Sequence, residues 1–439
     1  MSDCFLGIDV GTSGIRASVI DDNASEILTL ALPLRTLDTD DGVAEADASE
    51  WRQTLDALLR QLSQQLNRNW NICAIAIDGT SGTLLACDAD GNPLGPALMY
   101  NDSQSTAPAE KIATVAPPES GAHGASSSLA KAITLLQRYP QTSRFCHQAD
   151  WLMAGLTGEY GVSDENNCLK LGYDIVRRNW PAWINSLGIE RSQLPEVVAP
   201  GSFIATVLPA RAAELGLPAD CRVIAGTTDS IAAVIATGAS HIGEGVTSLG
   251  STLVVKLFSR RPLFAAEYGI YSHRLDEHWL VGGASNAGGT VLRRFFSQQQ
   301  LDRMTPELQP EKPTGLHYYP LPSDGERFPV NDSRKQPVLT PRPDNDVVFF
   351  QAMLEGLSAI EQQGYEKLAE LGAGRVKKVF TCGGGDNNPA WRKIRQQKLG
   401  VPVVSAKHTQ ASYGSARLAR KGWRHLTGAE SAPGEFQPD

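Results

Sequence analysis

The chain has 439 residues, 41% of them apolar, and a formal net charge of −8. Domains run about 100–200 residues, so two or three are expected, each able to bury its own core. The acidic balance argues against a nucleic-acid binder, which carries a basic face, and no apolar run approaches the roughly 18 residues of a membrane span.

The opening reads as a strand, a turn and a strand. Phe5 to Val10 is apolar except for one carboxylate, Asp9. Gly11-Thr12-Ser13-Gly14 follows, a small flexible turn in which glycine permits positive φ and close approach to a ligand. Successive turn N–H groups and the two hydroxyls suit phosphate oxygens, and a lone acid suits a metal that neutralises them. Met1-Ser2-Asp3 is not a basic opening, and Asp9 interrupts the apolar run behind it. We therefore expect no secretory or chloroplast-type targeting segment, and a cytoplasmic protein.

Trp51, Leu55, Leu58, Leu59, Leu62 and Leu66 recur at helical spacing, with Asp47 or Ser49 as the cap. Asn71 to Ile77 is a short apolar strand that runs into Asp78-Gly-Thr-Ser-Gly82. Cys87 to Pro93 reads as a hairpin turn. Ser128 to Tyr139 is an amphipathic helix stopped by Pro140, and Leu194 to Pro209 reads as a surface loop. Arg222 to Gly226 is a strand feeding a helix from Thr227 to Thr237 that opens on polar caps.

At about residue 239 the pattern restarts. Gly245 to Lys256 is again strand, small polar turn with Gly250 and Ser251, and strand, which points to an internal duplication. A proline-rich connector from Met304 to Pro343 hosts an insertion. Phe349 to Leu371 has the periodicity of a long helix. Lys377 to Cys382 is a strand ending in Gly383-Gly-Gly385, followed by a helix from Asn388, a strand Val401 to Ser405 and a last helix from about Ala411 to Arg420. The two lobes are placed at 1–238 and 239–439.

Seven cysteines include no CxxC pair, and eight histidines show no HxxxH or HExxH spacing. Reduced core thiols and no protein-ligated zinc are expected. One glycine cluster after a strand is usually only a turn. Four of them, in two halves, with a second acid at Asp229, form a stronger pattern.

The opening segment resembles the first phosphate loop of the sugar kinase, actin and heat-shock chaperone superfamily. Gly7-Ile-Asp-Val-Gly-Thr-Ser13, Asp78-Gly-Thr-Ser-Gly82, Gly226-Thr-Thr-Asp-Ser230, Ser248-Leu-Gly-Ser-Thr252 and Gly383-Gly-Gly385 with Asn388 and Trp391 resemble the FGGY carbohydrate kinases nearly end to end. Within that family, Gln148-Ala-Asp-Trp-Leu152, Leu169-Lys-Leu-Gly-Tyr173, Gly282-Gly-Ala-Ser-Asn286 and Tyr318-Tyr-Pro-Leu-Pro322 are similar to the short D-ribulose kinases of cyanobacteria and plants.

The resemblance implies two ribonuclease-H-like α/β lobes with an interlobe cleft, and transfer from ATP to a ketose. Asp229 then matches the base that takes the proton of the attacking hydroxyl. Asp9 matches the acid that holds Mg²⁺ through water and lies near the sugar. Gly11, Thr12, Ser13, Gly250 and Ser251 match phosphate loops. Gly383, Gly384 and Gly385 leave room for the nucleoside, with Asn388 and Trp391 flanking its base; Trp391 also fits a plain core position. Thr80 and Ser81 lie where the resemblance places the sugar. Asp102 falls in a segment, Met99-Tyr-Asn-Asp102, where many relatives follow an acid with arginine; here Ser103-Gln104-Ser105 follows. Asp150 and Asp164 either reach the sugar or brace loops. A D-xylulose or other polyol kinase is the enzymatic alternative, and a nucleotide-gated sugar-binding protein is the alternative of another class. No nucleic-acid or membrane partner is expected, and the oligomeric state is open.

Overall fold

The structure, a computed structural model, describes residues 1–35 and 42–429. The chain divides into two units. One takes Met1–Ala236 and returns for the described residues from Gln410 onward; the other takes Thr237–Thr409.

Alternation along the first strand, Ser2–Val10, builds the first unit. Successive side chains point to opposite faces. Leu6, Ile8 and Val10 join a buried cluster with Trp51, Leu55, Leu58, Leu59 and Leu62 of the helix Ala48–Gln65. Asp47 caps that helix by accepting from the Ser49 N–H. Gly7 faces the other way, against the helix Ala411–Thr427. The six-stranded sheet runs Phe203–Thr206, Arg222–Ile224, Trp70–Gly79, Ser2–Val10, Gly14–Asp21, Glu26–Pro33. Its three middle strands, Arg222–Ile224, Trp70–Gly79 and Ser2–Val10, are parallel, and Gly14–Asp21 and Glu26–Pro33 continue antiparallel. A smaller four-stranded sheet with the helix Ser128–Arg138 forms a satellite core around Leu84, Leu98, Leu129 and Phe145.

The second unit repeats this plan. Its sheet runs Tyr271–Leu275, His278–Ala284, Leu253–Ser259, Glu244–Leu249, Lys378–Cys382, Val403–Ser405. Glu244–Leu249 pairs antiparallel with its successor and parallel with Lys378–Cys382, as Ser2–Val10 does with Gly14–Asp21 and Trp70–Gly79. The long helix Asp346–Glu370 covers it, capped by Asn345. Inside, Arg395 donates two bonds to the Glu361 carboxylate, at 2.6 and 2.7 Å, and one to Thr381 Oγ1 at 2.7 Å. Thr247 Oγ1 donates to the same carboxylate at 2.5 Å. Each charge of this buried pair is thus met by its partner and by strand hydroxyls, which a buried ion pair requires.

Two expectations change. The final helix extends to Thr427 and packs on the first unit's sheet, so the described residues from Gln410 onward belong with that unit. The reason is its buried face of small residues, Ser412, Gly414, Ser415, Ala416 and Ala419, which seats closely on Gly7. The 194–209 segment holds two short strands, Glu196–Val198 and Phe203–Thr206, the second an edge of the main sheet. The proline-rich connector, expected to host an insertion, also packs Tyr318, Leu321 and Phe328 into the second unit's core. Phe328 is fully buried against Gly283 and Gly364, and Glu326 accepts from Ser285 Oγ at 2.6 Å and the Asn286 N–H at 2.8 Å.

A Cβ on Gly7 would overlap the backbone of Ser412 and Ala416. Gly7→Ala should therefore cost about 1–3 kcal/mol or more, the range for forced overpacking, read from the midpoint of urea unfolding.

Candidate active site

Ligands of open α/β sheets bind beyond the carboxyl ends of the strands. In the first unit the parallel register brings acids together there. Asp9 pairs with Asp78, one residue before each of these strands ends. Gly79 forms a parallel bridge with Thr228, which places Asp229 one residue further on the neighbouring strand connection. Asp229 opens the helix Asp229–Ala236, and its Oδ1 accepts from the Ser230 N–H at 2.6 Å.

Burial sets the electrostatics. Asp78 is fully buried and Asp9 is 7% exposed. Asp78 Oδ2 accepts from Ser415 Oγ at 2.5 Å, while Oδ1 has no partner. Burial first, then the charge of Asp9, pushes the Asp78 carboxyl well above the ordinary range; the Ser415 hydroxyl opposes this, and the charge of Asp229 adds to it. Burial also raises Asp9, against the pull of Arg16, whose Nη1 lies 3.4 Å from Asp9 Oδ2. Two neighbouring carboxyls in one buried site resist double ionisation.

Asp78 had no role in the sequence reading. The available signal was its place at the end of a strand parallel to the one bearing Asp9.

The turn after the first strand closes with the Gly11 N–H donating to the Gly14 carbonyl at 3.1 Å. Thr12 and Ser13 are exposed on it. Neither glycine takes positive φ. Gly14 is needed because a Cβ there would press on the Leu32 carbonyl oxygen. Positive φ occurs instead at Gly82 and Gly383.

Thr80 is buried, and its hydroxyl is spent inside the protein. Oγ1 donates to Gln148 Oε1 at 2.9 Å and lies 2.5 Å from Thr83 Oγ1. Ser81 is half-buried on the same loop. Asp150 bonds His147 Nδ1 at 2.9 Å. Asp164 caps the short helix Glu165–Cys168, and burial, then the charge of Asp150, pushes it up to about 7. Asp102 accepts from the Ala44 N–H at 2.9 Å and from Gln104 Nε2 at 2.7 Å. These three acids brace loops in this structure.

The second unit carries the other glycine turns at matching strand ends. Ser248 pairs with Cys382 across parallel strands, so Gly250-Ser251 and Gly383-Gly384 emerge side by side, all four exposed. The Gly289 N–H donates to the Gly250 carbonyl at 2.9 Å, and Arg293 Nη2 donates to Ser251 Oγ at 3.2 Å. Arg293 is a cation at this turn that sequence reasoning missed, because it comes 42 residues later. Asn388 caps the helix Pro389–Leu399 through the Trp391 N–H at 2.9 Å, and Gly385 is half-buried. Trp391 does not flank an open site. It is buried, its indole N–H donates to Ser358 Oγ at 3.1 Å, and its ring fills the space a Cβ on Gly385 would need.

All seven cysteines are buried and free. No group of three or more His, Cys, Asp or Glu side chains suited to a metal occurs among the described residues. No helix of the described residues is long and apolar enough to cross a membrane. A depression of about 610 Å³ lined by Tyr365, Arg375 and Val401 lies at the opposite end of the strand from Gly383, and so belongs to neither set of loops.

The raised carboxyls fix the sign of a pH effect. A carboxyl whose folded pKa exceeds its unfolded value adds stability below the unfolded value, about 3.9, and loses it as pH rises through the folded one. Asp78→Asn keeps an acceptor for Ser415 and removes the second acid. It should unfold at higher urea than wild type at pH 8, with the gap shrinking toward pH 4. A constant gap contradicts the assignment.

Comparison with known proteins agrees with this layout. The N-terminal domain of the FGGY family of carbohydrate kinases matches residues 4–236, and its C-terminal domain matches residues 245–423. A xylulose kinase of Bacillus subtilis is 24% identical over 95% of this chain and 88% of its own length. An L-fuculokinase of Escherichia coli is 24% identical over 95% of this chain and 91% of its own. The solved structure of a ligand-bound xylulose kinase from Lactobacillus acidophilus superposes with a TM-score of 0.85 at 18% identity, over 99% of this chain and 91% of that one. The strand-end acids and glycine turns therefore stand in a known framework: the chain belongs to the FGGY family of carbohydrate kinases, enzymes that move a phosphoryl group from ATP to a sugar.

Proposed function

We propose that this protein phosphorylates D-ribulose at the expense of ATP, giving D-ribulose 5-phosphate and ADP. The observation that supports it most is the row of carboxylates Asp9, Asp78 and Asp229 at the strand ends of the first unit. Asp229 is the base. It is half-buried and starts a helix, where the positive end of the dipole favours the ionised form. Phosphoryl transfer passes through a loose transition state, so this carboxylate orients the sugar hydroxyl and accepts its proton late. The sugar oxygen then bonds to the γ-phosphorus as the bond to the bridging oxygen of ADP breaks.

Ser81, on the loop beside these acids, is assigned to the sugar. Thr80 supports that loop through Gln148 rather than binding with its hydroxyl. Thr12 and Ser13 are assigned to the phosphates, as are Gly250, Ser251 and Arg293. Gly383, Gly384 and Gly385 leave space for the nucleoside. Magnesium fits the chemistry of the first unit, which offers hard carboxylate oxygens including the unpartnered Asp78 Oδ1. Asp9 would hold the ion, with Asp78 beside it, and the ion would neutralise phosphate charge.

D-Xylulose is the second reading. It is favoured by the relatives named xylulose kinase that span 95% of this chain. The two ketoses differ at one hydroxyl, and a buried hydroxyl without its partner is costly, so one loop can decide between them.

A coupled ADP-release assay over ketoses and polyols should give its highest kcat/KM with D-ribulose; a higher value with D-xylulose transfers the assignment to that sugar. Asp229→Asn should lower kcat about 100- to 10,000-fold, the usual contribution of a general base, with ATP affinity unchanged by calorimetry. Full turnover in that variant removes the role of Asp229.

A further inference from the structure

Two lysines grip the loop assigned to the sugar. Lys131, on the helix Ser128–Arg138, is fully buried. Its Nζ donates to the Gly82 carbonyl at 2.8 Å and to the Ser126 carbonyl at 2.9 Å. Lys170 Nζ lies 3.4 Å from the Ser81 carbonyl, and its Cδ would meet a Cβ on Gly82 at 3.5 Å. Gly82 holds φ of +95°, a conformation that costs other residues strain and that the lysine contacts keep in place. The opposite side of the loop is fixed by the Thr80 N–H donating to Gln148 Oε1 at 3.0 Å and the Thr83 N–H to the Thr80 carbonyl at 3.2 Å.

A fully buried ammonium is expensive, and a core of this size would be as well served by leucine or methionine. The lysine spends that cost on two backbone carbonyls, one of them in the loop that carries Ser81. We propose that Lys131, assisted by Lys170, is a positioning residue for sugar binding: it holds the Gly79–Gly82 loop in the shape that presents Ser81 to the ketose. This rests on the assignment of that loop to the sugar.

The charged groups facing Lys131 are Asp102, after the strand Ala97–Leu98, and Lys170, on the turn Leu169–Leu171. Burial, partly offset by Asp102 and aided by Lys170, brings the amine down to about 7. Below that pH the bonds to Gly82 and Ser126 are charge-assisted; above it they are made by a neutral amine and are weaker. The grip on the loop is therefore stronger at pH 6 than at pH 9.

The test compares wild type with Lys131→Met, reading KM for the preferred ketose and for ATP at both pH values. Expected is a ketose KM raised roughly 10-fold or more at pH 6 and about threefold at pH 9, the range separating charged from neutral hydrogen bonds. The KM for ATP should stay within about twofold of wild type. Lys170→Met, at a partly exposed side chain, serves if the buried substitution does not fold, and should raise the ketose KM about threefold. A ketose KM unmoved in a folded variant, or raised equally at both pH values, overturns the positioning role and leaves only a structural one. A wild-type protein that turns over no ketose overturns the kinase reading itself, and this inference with it.

Discussion

Everything at the carboxyl edge of the first sheet follows from one register. Ser2–Val10 and Trp70–Gly79 run parallel with Asp9 opposite Asp78. Side chains opposite one another on neighbouring strands share a face, so two carboxyls are driven together where the sheet leaves off. The helix Ala411–Thr427 covers that face closely enough for Ser415 to bond Asp78. Burial then raises both acids, and the cation Arg16 sits on the adjoining antiparallel strand against Asp9. The result is a negative, poorly solvated corner, the environment in which a metal–phosphate group or a shared proton is most strongly felt.

The second unit uses the same topology for a different end. Its strand ends carry glycine and serine in place of the acids: Ser248 opposite Cys382, then Gly250-Ser251 and Gly383-Gly384. Asp386, next after Gly385, is paired with Arg392, and Arg293 lies at Ser251, so this edge can approach an anion. Behind it the Arg395–Glu361 pair, with Thr247 and Thr381, ties the two strands to two helices. That network stands two positions before Gly383 and three before Gly250, and gives otherwise pliant loops a rigid base. A duplicated fold has thus become one acidic edge and one glycine-rich edge with an arginine beside it.

Much of the site was legible as motif. Asp9, Asp229 and the glycine turns stand at the strand ends where the apolar runs stop. Trp391 was not legible, because an aromatic at helical spacing is consistent with both a core and a site; its ring turned out to occupy the room that Gly385 leaves. Thr80 looked like a sugar contact by residue type, yet its hydroxyl meets Gln148, 68 residues away. Lys131 sat inside an amphipathic helix with nothing to mark it as buried, since its partner carbonyl belongs to Gly82, 49 residues earlier.

The sequence by itself determined the alternation of strands and helices, the two-fold repetition of the plan, the turns that glycine permits and the family. These rest on periodicity and on local backbone chemistry, which short stretches of chain carry alone. Only the tertiary structure decided that the last helix returns to the first strand, that Asp78 joins Asp9, and that Lys131 reaches the Gly79–Gly82 loop. Each of those depends on register and close packing between segments far apart in the chain, and no local pattern encodes which distant backbone a glycine will admit or which carbonyl a buried amine will find.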